Sequence, residues 1–198
     1  WQINISYSKC NILHLGNHTP DLNFNLSNNT MLPTPAMRDL GILIEPNLKF
    51  KGHIHDIVSR AKQRLALLFK CFITHNPTRL IRAFKIYVRP LLEYASIVWS
   101  PSHINMILEI ESVQRNFTKR LPGLKDVAYS ERLDISQLQS LKHRRLINAL
   151  VFCYTIVHGL TAINFSNFFS LTSNPSSRGH SLRITTSIPK SNLDKHFF

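Results

Sequence analysis

The chain has 198 residues, 43% of them hydrophobic and 18% charged, which suits one medium or two small folded domains and excludes collagen-like, mucin-like and largely disordered classes. Its 24 Lys and Arg against 11 Asp and Glu give a formal charge of +13, which favours a polyanionic partner, either nucleic acid or an anionic membrane surface. The excess is regional: residues 49–145 hold 18 basic and 7 acidic side chains, net +11, whereas residues 1–48 hold 2 and 3, net −1.

The opening WQINISYS alternates Trp1, Ile3, Ile5 and Tyr7 with polar residues, the period-2 pattern of a strand with one buried face. Asn11–Leu15 is a candidate second strand. Leu22, Phe24 and Leu26 alternate again, and RDLGILI sets Leu40, Ile42 and Ile44 on one face. Turn residues separate these runs at Gly16-Asn17, Pro20-Asp21, Asn28-Asn29, Pro33-Thr34-Pro35 and Pro46-Asn47, so the first 50 residues read as short strands and hairpins.

After Gly52 the period becomes helical. Ile54, Ile57, Ala61, Leu65, Leu68 and Phe72 form one apolar stripe, with Arg60 and Arg64 opposite. Asn76 is an N-cap with Pro77 at the first helical position, and Leu80, Phe84, Tyr87 and Leu91 continue as the inward face of a second helix that Pro90 interrupts. A third helix is expected from Ser102 or His103 to about Arg120, with Met106, Ile110, Val113 and Phe117 inward and Leu121-Pro122-Gly123 as its stop. A long helix from about Gln137 to His158 ends at Gly159, a left-handed C-cap, and the last thirty residues read as loop. No apolar run approaches the ~20 residues of a spanning helix. The basic residues before Ala149–Val157 sit at one end of the helix rather than along a face, so no membrane partner is expected. Three widely spaced cysteines without a C-x-x-C point to a reducing, intracellular compartment.

Arg79, Arg82, Lys85 and Arg89 fall on one side of a helix about one turn apart, the spacing with which cations follow a phosphate backbone. Tyr87, Tyr94 and Trp99 lie near enough in sequence to add aromatic contacts, unless the aromatics are core and the charges a solvated face. Arg115, Lys119, Arg120 and Lys125 make a second basic group, with Glu111 placed to pair with Arg115, and Lys142, Arg144 and Arg145 a third. His53, His55, Cys71 and His75 can be drawn as a zinc site, but ten histidines make such sets easy to find by chance, and no metal site is expected. Nucleotide-binding and hydrolase glycine motifs are missing, and Glu109 and Glu111, two apart on a helix, point to different faces, so metal-dependent phosphoryl chemistry is not expected of this chain alone.

Taken in order, SYSKCNILHLG (Ser6–Gly16), RDLGILIEPNLKFKGHI (Arg38–Ile54), IVSRAKQRLALLF (Ile57–Phe69), YVRPLLEYASIVWSP (Tyr87–Pro101), IESVQRNFTKRLPGL (Ile110–Leu124) and YSERL (Tyr129–Leu133) resemble the downstream part of a non-LTR retrotransposon reverse transcriptase of the jockey-like kind. RGHSL (Arg178–Leu182) resembles a later signature of that family. The resemblance implies that WQINISYSKC ends a palm, with Lys9 at the family's motif D lysine, which helps protonate the pyrophosphate leaving group. It implies further that RDLGILI is a hairpin positioning the primer end, and that a helical thumb follows which grips the template–primer duplex.

The corresponding expectations are an α+β, mainly α fold: β hairpins of a palm remnant at 1–52, a thumb-like bundle at 53–125, a post-thumb helical region at 126–170 and mostly loop at 171–198. The expected function is that of a fragment of an RNA-directed DNA polymerase. Its partners are an RNA template, an RNA–DNA hybrid or DNA primer, and the missing upstream palm and fingers. The resemblance puts the paired aspartates that hold Mg²⁺ upstream of Trp1, so the fragment is expected to bind no cofactor and to be inactive alone, and the parental protein to work in nucleus or cytoplasm. Duplex contacts then fall to Arg79, Arg82, Lys85, Arg89, Arg115, Lys119 and Arg120. The alternative is a non-enzymatic basic helical module that binds nucleic acid.

Overall fold

Glu45 sets the start of the helical half of the molecule. In the computed structural model, which describes residues 6–16, 24–26, 29–73, 76–167, 169–171 and 184–185, its carboxylate accepts the Gly52 amide at 3.2 Å in the first turn of α1 (Lys51–Cys71). A carboxylate there satisfies an otherwise orphan N–H and opposes the positive end of the helix. Gly52 fits because a β-carbon would come within 3.1 Å of that carboxylate and 3.3 Å of Leu43. The approach to α1 is tightly wound: Leu48 and Phe50 take positive φ, and the Asn47 side chain accepts the Lys49 amide at 2.9 Å.

The chain divides into two compact units, residues 1–141 and 142–198. In the first, α1 is the central element, touched by α2 (Pro77–Tyr87), α3 (Arg89–Glu93), α5 (Ile104–Lys119) and strand β4 (Ile42–Ile44). Its expected stripe is buried from Ile54 to Leu68, Phe72 is at the exposed C-cap, and His53 and Val58 are buried as well. Against it stand Ile110, Val113 and Phe117 of α5, and the Phe117 ring stacks on Phe84 of α2 at 4.2 Å between centroids.

Asn76 caps α2 as its spacing predicts, accepting from the Thr78 and Arg79 amides, and Pro77 fills the first turn. The helix breaks at Val88, just ahead of Pro90. The inward row differs from the predicted one: Leu80, Phe84, Val88 and Leu92 are buried, while Tyr87 is 53% exposed and Leu91 half-buried. Four-residue steps carry one row straight through the break, because the turn missing a donor at Pro90 bends the backbone without changing which side faces α1.

The β segment differs more. The strand expected at the N-terminus lies largely outside the described residues, and its described end, Tyr7–Lys9, is a single 3-10 turn. With no described partner strand, the turn satisfies the Lys9 and Cys10 amides locally, through the Ser6 and Tyr7 carbonyls. Asn11–Leu15 contributes only a parallel bridge from Ile12 to Pro33. Two antiparallel pairs follow, β1 (Phe24–Leu26) with β2 (Asn29–Met31), and β3 (Met37–Asp39) with β4 (Ile42–Ile44). Phe24 and Leu26 are exposed, so the first pair buries neither, and Leu22 falls outside the described residues.

Short α4 (Ser96–Trp99) and α6 (Tyr129–Ile135) complete the first unit. The final long helix, α7 (Leu141–Val157), starts four residues later than predicted, because Gln137 takes positive φ after α6 and the chain must turn first. It ends as expected: Gly159 has φ 64°, and the Gly159 and Leu160 amides return to the Ile156 and Thr155 carbonyls. The second unit also contains a pair β5 (Ser170–Leu171) and β6 (Ile184–Thr185), at the start of and within the stretch expected to be mostly loop; RGHSL lies outside the described residues. The architecture is α+β and mainly α, and no described helix is long and apolar enough to cross a membrane.

Candidate nucleic-acid interface

The tip between β3 and β4 is a two-residue turn in which Leu40 (φ 45°) and Gly41 (φ 86°) both take positive φ, as a type I′ turn requires. Leu40 therefore leaves the apolar face it was expected to share with Ile42 and Ile44 and stands 81% exposed. Two contacts hold the tip. The Tyr94 hydroxyl donates to the Leu40 carbonyl at 3.1 Å, and the Arg38 guanidinium donates to the Gly41 carbonyl at 3.2 Å and to Asp56 of α1 at 3.0 Å. A leucine held in a left-handed conformation with its side chain in water costs about 1–2 kcal/mol, so this tip is braced rather than relaxed.

Behind the tip, His53 is buried edge-on to Trp99, with ring centroids 5.4 Å apart, and its Nδ1 accepts the Leu43 amide at 3.2 Å. Burial, reinforced by the nearby Arg38 and Arg60 charges, lowers its pKa below the usual histidine value despite the opposing charge of Asp56. His53 is thus a neutral fastener between β4 and α1. Trp99, expected as a possible base contact, is core: it is 1% exposed and donates its indole N–H to the Tyr94 carbonyl at 2.8 Å.

The predicted basic residues separate into three environments. Arg79 and Arg82 stand exposed on α2, with Lys85 half-exposed beside them and no acidic partner within 4 Å among the described residues. Arg89, beyond the helix break, pairs instead with Glu93 at 3.7 Å. Arg115 lies over the Tyr129 ring at 4.7 Å, Arg120 over the Phe69 ring at 3.9 Å, and Lys119 is exposed between them in sequence. Lys9 ends the 3-10 turn, exposed. Of the third basic group, Arg145 is buried in the second unit.

One feature escaped the sequence reading entirely. Glu111, Gln114 and Thr118 form a buried polar face on α5, one position round from Ile110, Val113 and Phe117. Glu111 is 5% exposed and does not spend its carboxylate in the expected surface pairing with Arg115. It accepts hydrogen bonds from the Tyr129 hydroxyl and, at 3.2 Å, from the Leu141 amide. Gln114 donates to the Tyr129 oxygen at 3.2 Å and to the Gln139 carbonyl at 3.0 Å. Arg132 donates to the Thr118 hydroxyl at 3.1 Å and to the Val127 carbonyl at 2.9 Å. Burial and the Glu111 carboxylate push the Tyr129 pKa well above its ordinary value. The signal was present in two registers, polar residues at i, i+3 and i+7 on α5 and Tyr129 with Arg132 at i, i+3 on α6.

The described acidic side chains do not converge on a two-metal site. Glu111 serves the network above, Glu109 meets His55 at 3.1 Å, and no group of three or more metal-ligating side chains converges among the described residues. Of the zinc set drawn from the sequence, His53 is committed to Leu43, Cys71 is exposed and His75 lies outside the described residues.

Comparison with known proteins adds one relative. The chain is 26% identical over 126 residues to a Caenorhabditis elegans protein named "Uncharacterized protein B0403.1". The match covers 62% of this chain and 64% of that protein, so the chain spans a little under two thirds of the relative's length. No family model and no solved structure matches.

Proposed function

We propose that this chain is the downstream, duplex-gripping part of an RNA-directed DNA polymerase of the non-LTR retrotransposon kind. The observation that carries the reading is the unequal use of its cations. Arg38, Arg60 and Arg89 are spent on Asp56 and Glu93, whereas Arg79, Arg82 and Lys85 line one helix with no described acidic partner. Cations left unneutralised in a row are suited to phosphates about a turn apart, and each phosphate engaged releases condensed counterions. The ordered sequence blocks and the braced Leu40-Gly41 tip support the same reading, the tip as the element that meets the primer end and Lys9 as the motif D lysine. The chain's own residues bind and orient; the metal-dependent bond-forming step belongs to residues outside it.

A fluorescence titration of a short RNA–DNA hybrid across several salt concentrations tests this. The expected result is hybrid binding with a steep negative salt slope, which the double substitution Arg79→Gln with Arg82→Gln flattens by roughly 1.8, two phosphates' worth. Absence of hybrid binding by the folded chain, or a slope unchanged in the double variant, refutes it. Equal affinity for duplex DNA and for the hybrid favours the non-enzymatic nucleic-acid-binding module instead.

A further inference from the structure

Helices α1 and α5 leave between them a groove of about 360 Å³ lined by Lys62, Leu65, Ala66, Asn116, Lys119 and Arg120. Its lining contains three cations and no acid. Leu65 is buried and forms an apolar floor beside Ala66, while Lys62, Asn116, Lys119 and Arg120 are exposed at the rim. The Arg120 guanidinium carbon lies 3.9 Å from the centroid of the Phe69 ring, so one side of that flat cation is already stacked on an aromatic. No described acid pairs with Lys62, Lys119 or Arg120.

We propose that this groove binds one unpaired nucleotide of a single-stranded nucleic acid. The size suits a small ligand rather than a duplex, because two packed helices leave a slot and not a broad face. The charges suit a phosphate, seated between Lys62 and Lys119. A stacked guanidinium suits a base: unpaired bases stack on arginine planes, and Arg120, backed by Phe69, offers its outward side without further ordering of the side chain. The sugar rests on Leu65 and Ala66, and the Asn116 amide faces the base edge with both a donor and an acceptor. This second site is separate from the duplex-gripping row on α2 and does not need that reading to be correct.

The test uses the full chain with a labelled single-stranded RNA of about ten nucleotides, the same sequence as single-stranded DNA, and the RNA–DNA hybrid, each titrated at several salt concentrations. Arg120→Lys keeps the charge and removes the plane; it is expected to weaken single-strand binding about tenfold with the salt slope unchanged, and to weaken hybrid binding less, because a duplex phosphate contact needs the charge and not the plane. Lys62→Gln with Lys119→Gln removes the seat of that one phosphate and is expected to reduce the single-strand slope by roughly 0.7. Circular dichroism melting of each variant at the wild-type temperature shows that these exposed substitutions spare the fold. Wild-type single-strand affinity in Arg120→Lys, or equal losses for single strand and hybrid, overturns the proposal. Single-strand binding that depends on the groove in a chain that fails to hold the hybrid upholds this site and refutes the duplex reading alone.

Discussion

The Tyr129 hydroxyl of α6 donates a hydrogen bond to Glu111 of α5, and the same carboxylate oxygen accepts the amide of Leu141, the first residue of α7. One buried oxygen in the middle of α5 thus holds the first residue of α6 and the Leu141 amide, all within the first unit. Gln114 completes the set from below, and the Arg115 and Arg132 guanidiniums lie against the Tyr129 ring at 4.7 and 5.5 Å. Buried groups of this kind are worth little when formed and cost a good deal when half removed, since the partner left behind stays dry and unsatisfied.

Tyr129 is therefore expected to ionise above the ordinary tyrosine value. A spectrophotometric titration should show it as a separate phase above the ordinary tyrosine range near 10, absent in Tyr129→Phe. Because the folded-state value lies above the unfolded one, its contribution to stability is complete below pH ~10 and is lost as the pH rises through the folded-state value. At neutral pH Tyr129→Phe is expected to cost about 1–3 kcal/mol in denaturant unfolding. A Tyr129→Phe variant as stable as the wild type would mean that Glu111 finds other donors.

His53 carries the opposite sign. Its pKa is lowered in the folded chain, first by burial and then by Arg38, so the unfolded chain takes up a proton that the folded chain refuses. The contribution is whole above pH ~6.5 and is lost as the pH falls below it. His53→Gln, which keeps an acceptor for the Leu43 amide, is expected to flatten that acid limb in urea titrations between pH 7 and 5. An acid limb of the same steepness in the variant would assign it to other groups.

At the hairpin tip the expected gain runs the other way. Leu40→Asn places at φ 45° a residue that tolerates left-handed backbone, and is expected to raise stability by about 1 kcal/mol. If the tip meets the primer end, the same variant weakens hybrid binding several-fold, because the exposed apolar side chain is gone. Higher stability with undiminished hybrid affinity would remove the tip from the interface.

The legible and illegible parts of this chain follow from what hydrophobic periodicity measures. Ile54–Leu68, Asn76-Pro77, Ile110–Phe117 and Gly159 were readable because an apolar stripe or a cap declares itself within a few residues. The row through Val88 and Leu92 was misplaced by one residue, since a break at Pro90 makes two phases plausible and only contact with α1 decides between them. Glu111, Gln114, Thr118 and Arg132 were unreadable by that measure, which sends polar residues outward by default. Their burial depends on partners 14–30 residues away, and Trp99 packs edge-on to His53, 46 residues away. For the candidate interface, the sequence supplied the cations, but not which of them are spent: Arg89 on Glu93, Arg115 on Tyr129, and Arg120 on Phe69 with one side still open.

The straight inner row of Leu80, Phe84, Val88 and Leu92 has a consequence for how such a gene ages. Arg79 and Arg82 share a helix with that row but contribute nothing to it, so random mutation can erase them while the protein still folds and accumulates. If Arg79 and Arg82 hold a nucleic acid, a lineage that stopped using it would shed those two charges long before it shed Phe84. The α2 surface is in that sense a clock with its own zero, running only after the ligand has ceased to matter.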